Sequence, residues 1–164
     1  MSERVTIRPA QPHEMGEVLA FIRELALYER LADQVVASEA DLAAALFGPR
    51  PYAEVVFACV AGRPAGFALF FHNFSTFLGK PGIYLEDLFV RPAARGQGLG
   101  KALLAWLART ALERGCARLD WSVLDWNAPA LGFYRSLDAV ALDEWQTLRL
   151  SGAALRRLAA AASA

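Results

Sequence analysis

Val90-Arg91-Pro92-Ala93-Ala94-Arg95-Gly96-Gln97-Gly98-Leu99-Gly100-Lys101-Ala102-Leu103-Leu104 is the stretch on which the reading of this chain turns. Three glycines, Gly96, Gly98 and Gly100, alternate at the entry to a helical stripe of Leu99, Ala102, Leu103, Trp106, Leu107 and Thr110 that ends near Gly115. A loop without side chains lets backbone N–H groups approach an anion, and the positive end of the helix dipole points at the same spot. A phosphate or pyrophosphate is the natural occupant; a glycine-rich helix entry that binds nothing is the alternative. Spacing narrows the choice. A Rossmann G-x-G-x-x-G would put its third glycine at position 101, which is Lys101. A P-loop would need Gly in place of Arg95 and Ser or Thr in place of Ala102 around Gly100-Lys101.

Upstream of the loop, Ile83 to Val90 is β-rich, so a strand feeds the glycines. Tyr52 to Ala61 and Pro64 to His72, separated by Gly62-Arg63, predict a hairpin. Arg4 to Pro9 alternates Val5 and Ile7 with polar neighbours and predicts a strand; Pro12 then opens a helix with Met15, Val18, Leu19, Ile22, Leu25 and Ala26 on one face. Ser38-Glu39-Ala40-Asp41 has the form of a helix cap before Leu42, Ala45 and Leu46, and Gly48-Pro49 ends that short helix. Downstream, Arg118 to Leu124 predicts a strand, Pro129 to Leu137 a short helix, and Val140 to Leu142 with Thr147 to Leu150 closing strands. The Ala-rich tail from Ala153 to Ala164, with Leu155 and Leu158, is compatible with a final short helix. No repeat or Pro- or Ser-rich linker divides the chain, so residues 1–164 are expected to form one mixed α/β domain, antiparallel strands first and a β-α-β unit later.

Composition bounds the partners. In 164 residues, 17 Lys plus Arg balance 17 Asp plus Glu, which disfavours nucleic acid and anionic membranes, since both reward clustered excess cations. With 55% hydrophobic residues the chain is too apolar for disorder and long enough to bury a core. Its longest apolar runs, Val55 to Ala61 and Ala102 to Ala108, are seven residues, too short to span a bilayer, and Met1-Ser2-Glu3-Arg4 carries no signal-peptide stretch. Cys59 and Cys116 form no C-x-x-C pair, which suits a reducing, cytoplasmic compartment. His13 and His72 have no metal-ligand spacing, no G-x-S-x-G elbow occurs, and Asn73-Phe74-Ser75 reads as a chance tripeptide.

The arrangement of a β-rich run ending in Val90, then Pro92, then Arg95-x-x-Gly98-x-Gly100 opening a helix resembles the acyl-CoA loop of the GNAT superfamily of N-acetyltransferases. Tyr84-Leu85-Glu86-Asp87-Leu88-Phe89-Val90, Leu124-Asp125-Trp126-Asn127 with Phe133-Tyr134, and Leu27-Tyr28-Glu29 are similar to its diamine and thialysine acetyltransferase branch, and the likeness covers nearly the whole chain. The resemblance implies a central mixed, mostly antiparallel sheet flanked by helices and splayed where acetyl-CoA binds. It implies that main-chain groups of Leu88, Phe89 and Val90 meet the pantetheine arm, that the backbone of Arg95, Gly96, Gln97, Gly98, Leu99, Gly100 and Lys101 holds the pyrophosphate, and that Asn127 and Phe133 add cofactor contacts. For Asn127 a helix N-cap is an equally good reading that does not exclude the first.

By the same resemblance Tyr134 is the general acid that protonates the leaving thiolate; a packed, hydrogen-bonded tyrosine is the alternative. Glu86 would face the acceptor and take a proton from its ammonium directly or through water, a real requirement because an amine of pKa near 10.4 is only about one part in a few thousand neutral at pH 7. Strand alternation puts Glu86 and Asp87 on opposite faces, leaving Asp87 to buried hydrogen bonding; an ion pair or a solubility charge is the other reading for either. Tyr28, Glu29, Asp143, Glu144 and Trp145 would line the acceptor side, where carboxylates attract a cationic amine. Two departures stand out: Asp138 where the family has Gly after the helix, and Thr76 where some diamine acetyltransferases carry an acidic residue. The expected function is acetyl transfer from acetyl-CoA to a small cationic amine by direct attack in a ternary complex, in a homodimer and without a metal. A non-catalytic acyl-CoA sensor and a protein or peptide acetyltransferase are the alternatives.

Overall fold

A computed structural model describes residues 5–162 of the chain. Strand β1 (Val5–Pro9) runs through a 3-10 turn (Pro12–Glu14) into helix α1 (Met15–Tyr28), following the predicted alternation and periodicity; Met1 to Arg4 lie outside the described residues. Helix α2 (Glu39–Phe47) opens with a reciprocal cap in which Asp41 N–H donates to Ser38 Oγ at 3.1 Å and Ser38 N–H donates to Asp41 Oδ2 at 2.8 Å. Strands β2 (Glu54–Val60) and β3 (Arg63–Ser75) form the hairpin. Its turn is Ala61-Gly62 rather than Gly62-Arg63, with φ of 49° and 77°, because a two-residue turn that matches strand twist needs two left-handed residues. Strand β4 (Lys80–Val90), helix α3 (Leu99–Glu113) and strand β5 (Leu119–Trp121) follow, then helices α4 (Ala128–Arg135) and α5 (Gly152–Ala159); Ser163 and Ala164 lie outside the described residues.

The five strands form one mixed sheet in the order β1-β2-β3-β4-β5, antiparallel except for the parallel β4–β5 pair. The fold is α/β, with helices flanking the sheet. On one face α1 buries Val18, Phe21 and Leu25 against Phe57, Phe67 and Phe89, and Leu69 packs on the same cluster. Phe21 stacks on Phe67 at 5.1 Å between centroids and meets Phe57 at 5.8 Å. Phe70, one residue on from Leu69, points to the other face, where Trp106 of α3 meets it edge-on at 6.0 Å.

Two compact units are present: Met1–Leu124, with the sheet and α1 to α3, and Asp125–Ala164, with α4 and α5. The closing strands expected at Val140 to Leu142 and Thr147 to Leu150 are not formed; residues 139–150 contain a turn at Asp143-Glu144 and otherwise no regular element. Apolar alternation makes a strand only where a neighbour supplies ladder bonds and a face to bury, and Val140 and Leu148 remain 82% and 90% exposed. The strand expected over Arg118 to Leu124 shortens to its three residues paired with Ile83 to Leu85.

Candidate active site

The glycines of the loop adopt a handedness that other residues resist. Gly96 and Gly98 have φ of 78° and 82°, and a Cβ built on either would meet nothing within 4 Å. Backbone conformation, not crowding, therefore selects glycine, and the loop faces open space. Gly98 is also the N-cap of α3 and has no side chain to offer; the first helical bond joins Ala102 N–H to Gly98 O at 2.9 Å. The N–H groups of Leu99, Gly100 and Lys101 form the uncapped first turn, a concentration of donors suited to an anion.

Beside the loop the sheet opens. The β4–β5 ladder ends at Leu85 paired with Trp121, while β4 continues to Val90. Among the described residues, no strand pairs with the β5 side of β4 from Glu86 to Val90, which leaves an edge able to exchange hydrogen bonds with an extended amide-bearing arm. Arg95 folds back over this strand end: its Nε–H donates to Val90 O at 3.0 Å, and its guanidinium lies 5.4 Å from the Tyr28 ring centroid and 5.5 Å from that of Phe89. The fold thus gathers Tyr28, Phe89, Val90 and Arg95.

Helix α1 ends at this corner. Tyr28 is its last residue, Glu29 its C-cap, and Arg30 turns left-handed at φ 62°, with Leu31 N–H closing onto Ala26 O at 2.8 Å. On β4 the strict alternation from which opposite faces for Glu86 and Asp87 were expected is interrupted. The β3–β4 register steps from Leu69 opposite Asp87 to Phe70 opposite Leu85, so Glu86 is the extra residue of a β-bulge. Asp87 consequently shares the α1 face with Leu69. Burial, reinforced by the charges of Glu86 and Glu29, pushes its carboxyl up to about 6. Burial also raises Glu29. Glu29, Glu86 and Asp87 form a carboxylate cluster that strand alternation alone conceals.

Arg91 is a residue that sequence reasoning passed over. Its guanidinium donates to Glu24 at 2.9–3.2 Å, to Glu17 Oε1 at 2.7 Å and to Pro64 O at 3.2 Å, and lies 4.1 Å from the Phe21 ring centroid. Glu17 and Glu24 are two turns apart on α1, so one side chain ties the C-terminal end of β4 to the helix that carries Tyr28 and Glu29. Arg91→Ala is expected to lower stability in chemical denaturation by about 2 kcal/mol, and Arg91→Lys, which keeps the charge without the fork, by about 1 kcal/mol.

The remaining predicted residues stand in the second unit. Asn127 Oδ1 accepts from Ala130 N–H at 3.4 Å, the N-cap reading of that residue. Phe133 and Tyr134 lie on α4 with ring centroids 5.6 Å apart, and Ser136 Oγ–H donates to Phe133 O at 2.6 Å. Asp138 takes the left-handed conformation expected of it, φ 62°, in the turn after α4. Asp143 and Glu144 form an exposed turn that leads to Trp145, which is also exposed.

Comparison with known proteins extends this geometry. The acetyltransferase (GNAT) family matches residues 19–138, a span that runs from α1 through α4. Thialysine N-epsilon-acetyltransferase of Bos taurus is 40% identical over 166 aligned residues, covering 94% of this chain and 97% of that protein. The L-ornithine N5-acetyltransferase of Arabidopsis thaliana is 32% identical, covering 93% of this chain and 86% of that protein. Among solved structures, an integron cassette protein from the mobile metagenome of V. cholerae superposes with a TM-score of 0.80 at 32% identity, over 97% of this chain and 98% of that one.

Proposed function

The chain belongs to the GNAT acetyltransferase family and is an N-acetyltransferase; from that premise we propose that residues 1–164 act as one catalytic domain that acetylates a primary amine of a small cationic acceptor. A lysine-like amino acid such as thialysine, or a diamine, has the right chemistry, and thialysine and ornithine are the acceptors in the names of two relatives. The observation that carries the reading is the cluster of Glu29, Glu86 and Asp87 beside the open edge of β4 and the uncapped start of α3. Negative charge there attracts and orients an ammonium.

The donor residues fit acetyl-CoA by their backbone chemistry. The uncapped amides at the start of α3, with Gly96 and Gly98 opening the loop from Arg95 to Lys101, would hold the pyrophosphate; Leu88, Phe89 and Val90 would offer main-chain groups to the pantetheine arm, with Asn127 and Phe133 as further contacts. When bound, acetyl-CoA supplies the acetyl group as a thioester. Glu86 meets the acceptor ammonium, with Tyr28, Glu29, Glu144 and Trp145 lining the acceptor side. Tyr134 would supply its phenolic proton to the leaving thiolate. With both substrates held together, the acceptor amine would be acetylated directly and no residue of the chain would carry the acyl group.

The test is acetyl-CoA consumption across spermidine, putrescine, thialysine, lysine, small aminoglycosides and Lys peptides. Turnover with one small amine supports the reading. Turnover confined to peptides would assign a macromolecular acceptor, and tight acetyl-CoA binding without turnover would make the chain a sensor. We also propose a homodimer, supported by family resemblance, in a reducing cytoplasmic setting, supported by the free buried thiols of Cys59 and Cys116. Sedimentation is expected to give a species of twice the chain mass; a monomer would refute the dimer. No helix among the described residues is long and apolar enough to cross a membrane.

A further inference from the structure

We infer that Arg91 is a positioning residue for the acyl donor: by clamping the stem of the glycine loop to α1 and β3 it presets where the pyrophosphate is received, without holding that group itself. The inference rests on the reading of the Arg95 to Lys101 loop as the pyrophosphate site and names what keeps that site in place. Arg91 is the one residue between the end of β4 at Val90 and the 3-10 turn Pro92–Ala94 from which the loop departs. Its main chain is fixed on both sides: Arg91 N–H donates to Ala65 O of β3 at 2.9 Å, and Arg91 O accepts from Ala94 N–H at 2.9 Å. Because Arg91 N–H points to β3, antiparallel alternation turns the N–H and C=O of the preceding Val90 to the open edge, where Arg95 Nε–H meets Val90 O at 3.0 Å.

The side chain of Arg91 reaches away from the loop. Its Nε and Nη2 donate to Glu24, its Nη1 donates to Glu17 and to Pro64 O, and its guanidinium lies 4.1 Å from the centroid of the buried Phe21 ring. Two carboxylates match its one charge, and its donors point at α1 and β3, so it is not presented to an anion at the loop. What it fixes is the point from which the loop starts. Bidentate pairing to Glu24 and a second carboxylate on the same helix hold the guanidinium in one orientation, which a lone surface ion pair does not do.

Beyond Arg95 the loop runs in open space, since a Cβ on Gly96 or Gly98 would meet nothing within 4 Å. Glycine backbone is the most costly to order, so such a loop binds well only when its two ends are set beforehand. One end is α3, seated by the buried Leu99, Leu103 and Leu107. The other is Arg91. A donor that stops at the pantetheine arm uses only the edge of β4, whose ladder with β3 does not depend on the Arg91 side chain. A donor that carries the pyrophosphate also needs the loop in register with that edge. Loss of the clamp therefore acts on the longer donor selectively, whereas general loosening of the fold acts on both alike.

The experiment compares wild type, Arg91→Ala, Arg91→Lys and Glu24→Gln at a temperature where thermal melts show each folded. Acetyl-CoA and S-acetylpantetheine serve as donors to whichever amine of the panel is acetylated, and calorimetric titration with CoA reads binding without turnover. Arg91→Ala is expected to lose roughly tenfold or more in kcat/KM with acetyl-CoA and to bind CoA more weakly by a similar factor, with less than about a threefold change on S-acetylpantetheine. Arg91→Lys, which cannot span both carboxylates with a planar fork, and Glu24→Gln, which weakens one anchor, are expected to shift the same ratio less far. If Arg91→Ala does not fold, these two variants carry the test. Equal losses on both donors, or CoA binding unchanged in the variants, overturn the positioning role and leave Arg91 a stabiliser of the fold. A wild-type protein that uses the two donors equally overturns the pyrophosphate reading of the loop together with the role. Failure of every acceptor overturns the proposed reaction, and the CoA titrations then decide the role of Arg91 by themselves.

Discussion

Tyr134→Phe is expected to bind acetyl-CoA as tightly as the wild-type protein and to turn over at least tenfold more slowly, a barrier increase of about 1.4 kcal/mol or more. The substitution removes one oxygen and keeps the ring, so the packing of Phe133 on residue 134, with centroids 5.6 Å apart, persists and α4 stays intact. What disappears, on the proposed role of Tyr134, is the proton for the leaving sulfur. Phenols and thiols have ordinary pKa values of about 10 and 8.5, close enough for efficient transfer, and positioned general acids contribute factors of about 10² to 10⁴. Isothermal titration with acetyl-CoA separates binding from catalysis, and steady-state turnover on the preferred amine reads the loss. Unchanged turnover would remove Tyr134 from the chemistry and return it to a packing role.

Phe21→Ala should unfold the protein more readily than any surface change, by about 3–5 kcal/mol. Phe21 is fully buried in α1, stacked on Phe67 and tilted against Phe57, and its outer face carries the Arg91 guanidinium. Truncation removes the ring from all three neighbours at once. The close-packed interior cannot collapse to fill the space without moving α1 off the sheet. In a protein of this size the thermal midpoint is expected to fall by about 10 °C. Because Arg91 loses its aromatic platform, the anchoring of Glu17 and Glu24 to the end of β4 weakens too. A urea melt reads the stability, and a loss under 1 kcal/mol would mean that α1 is far less tightly seated than its contacts imply.

Much of the site was legible in the chain because local chemistry dictated it. Alternating glycines ahead of a helical stripe require left-handed backbone and leave helix amides uncapped, and Gly96 and Gly98 behave that way. Ser38 and Asp41 cap α2 with groups three residues apart, and Asp138 tolerates the turn after α4. The errors arose where non-local pairing decides. Val140, Leu142 and Leu148 alternate as strand residues do, but no periodicity reveals whether a partner edge exists.

The sequence by itself determined the α/β class, the order of the elements from β1 through α4 and the glycine-rich, uncapped character of the loop, because periodicity, capping and glycine backbone preference act over a few residues. Only the tertiary structure decided which face of the sheet Asp87 takes and how the end of β4 is tied to α1. Those depend on a one-residue register step at Glu86, set by how β3 and β4 pair, and on the reach of Arg91 to Glu17 and Glu24, more than sixty residues away in the chain. A bulge changes the facing of every residue beyond it without changing a single residue type, so its effect on Asp87 emerges only when the strands are laid side by side.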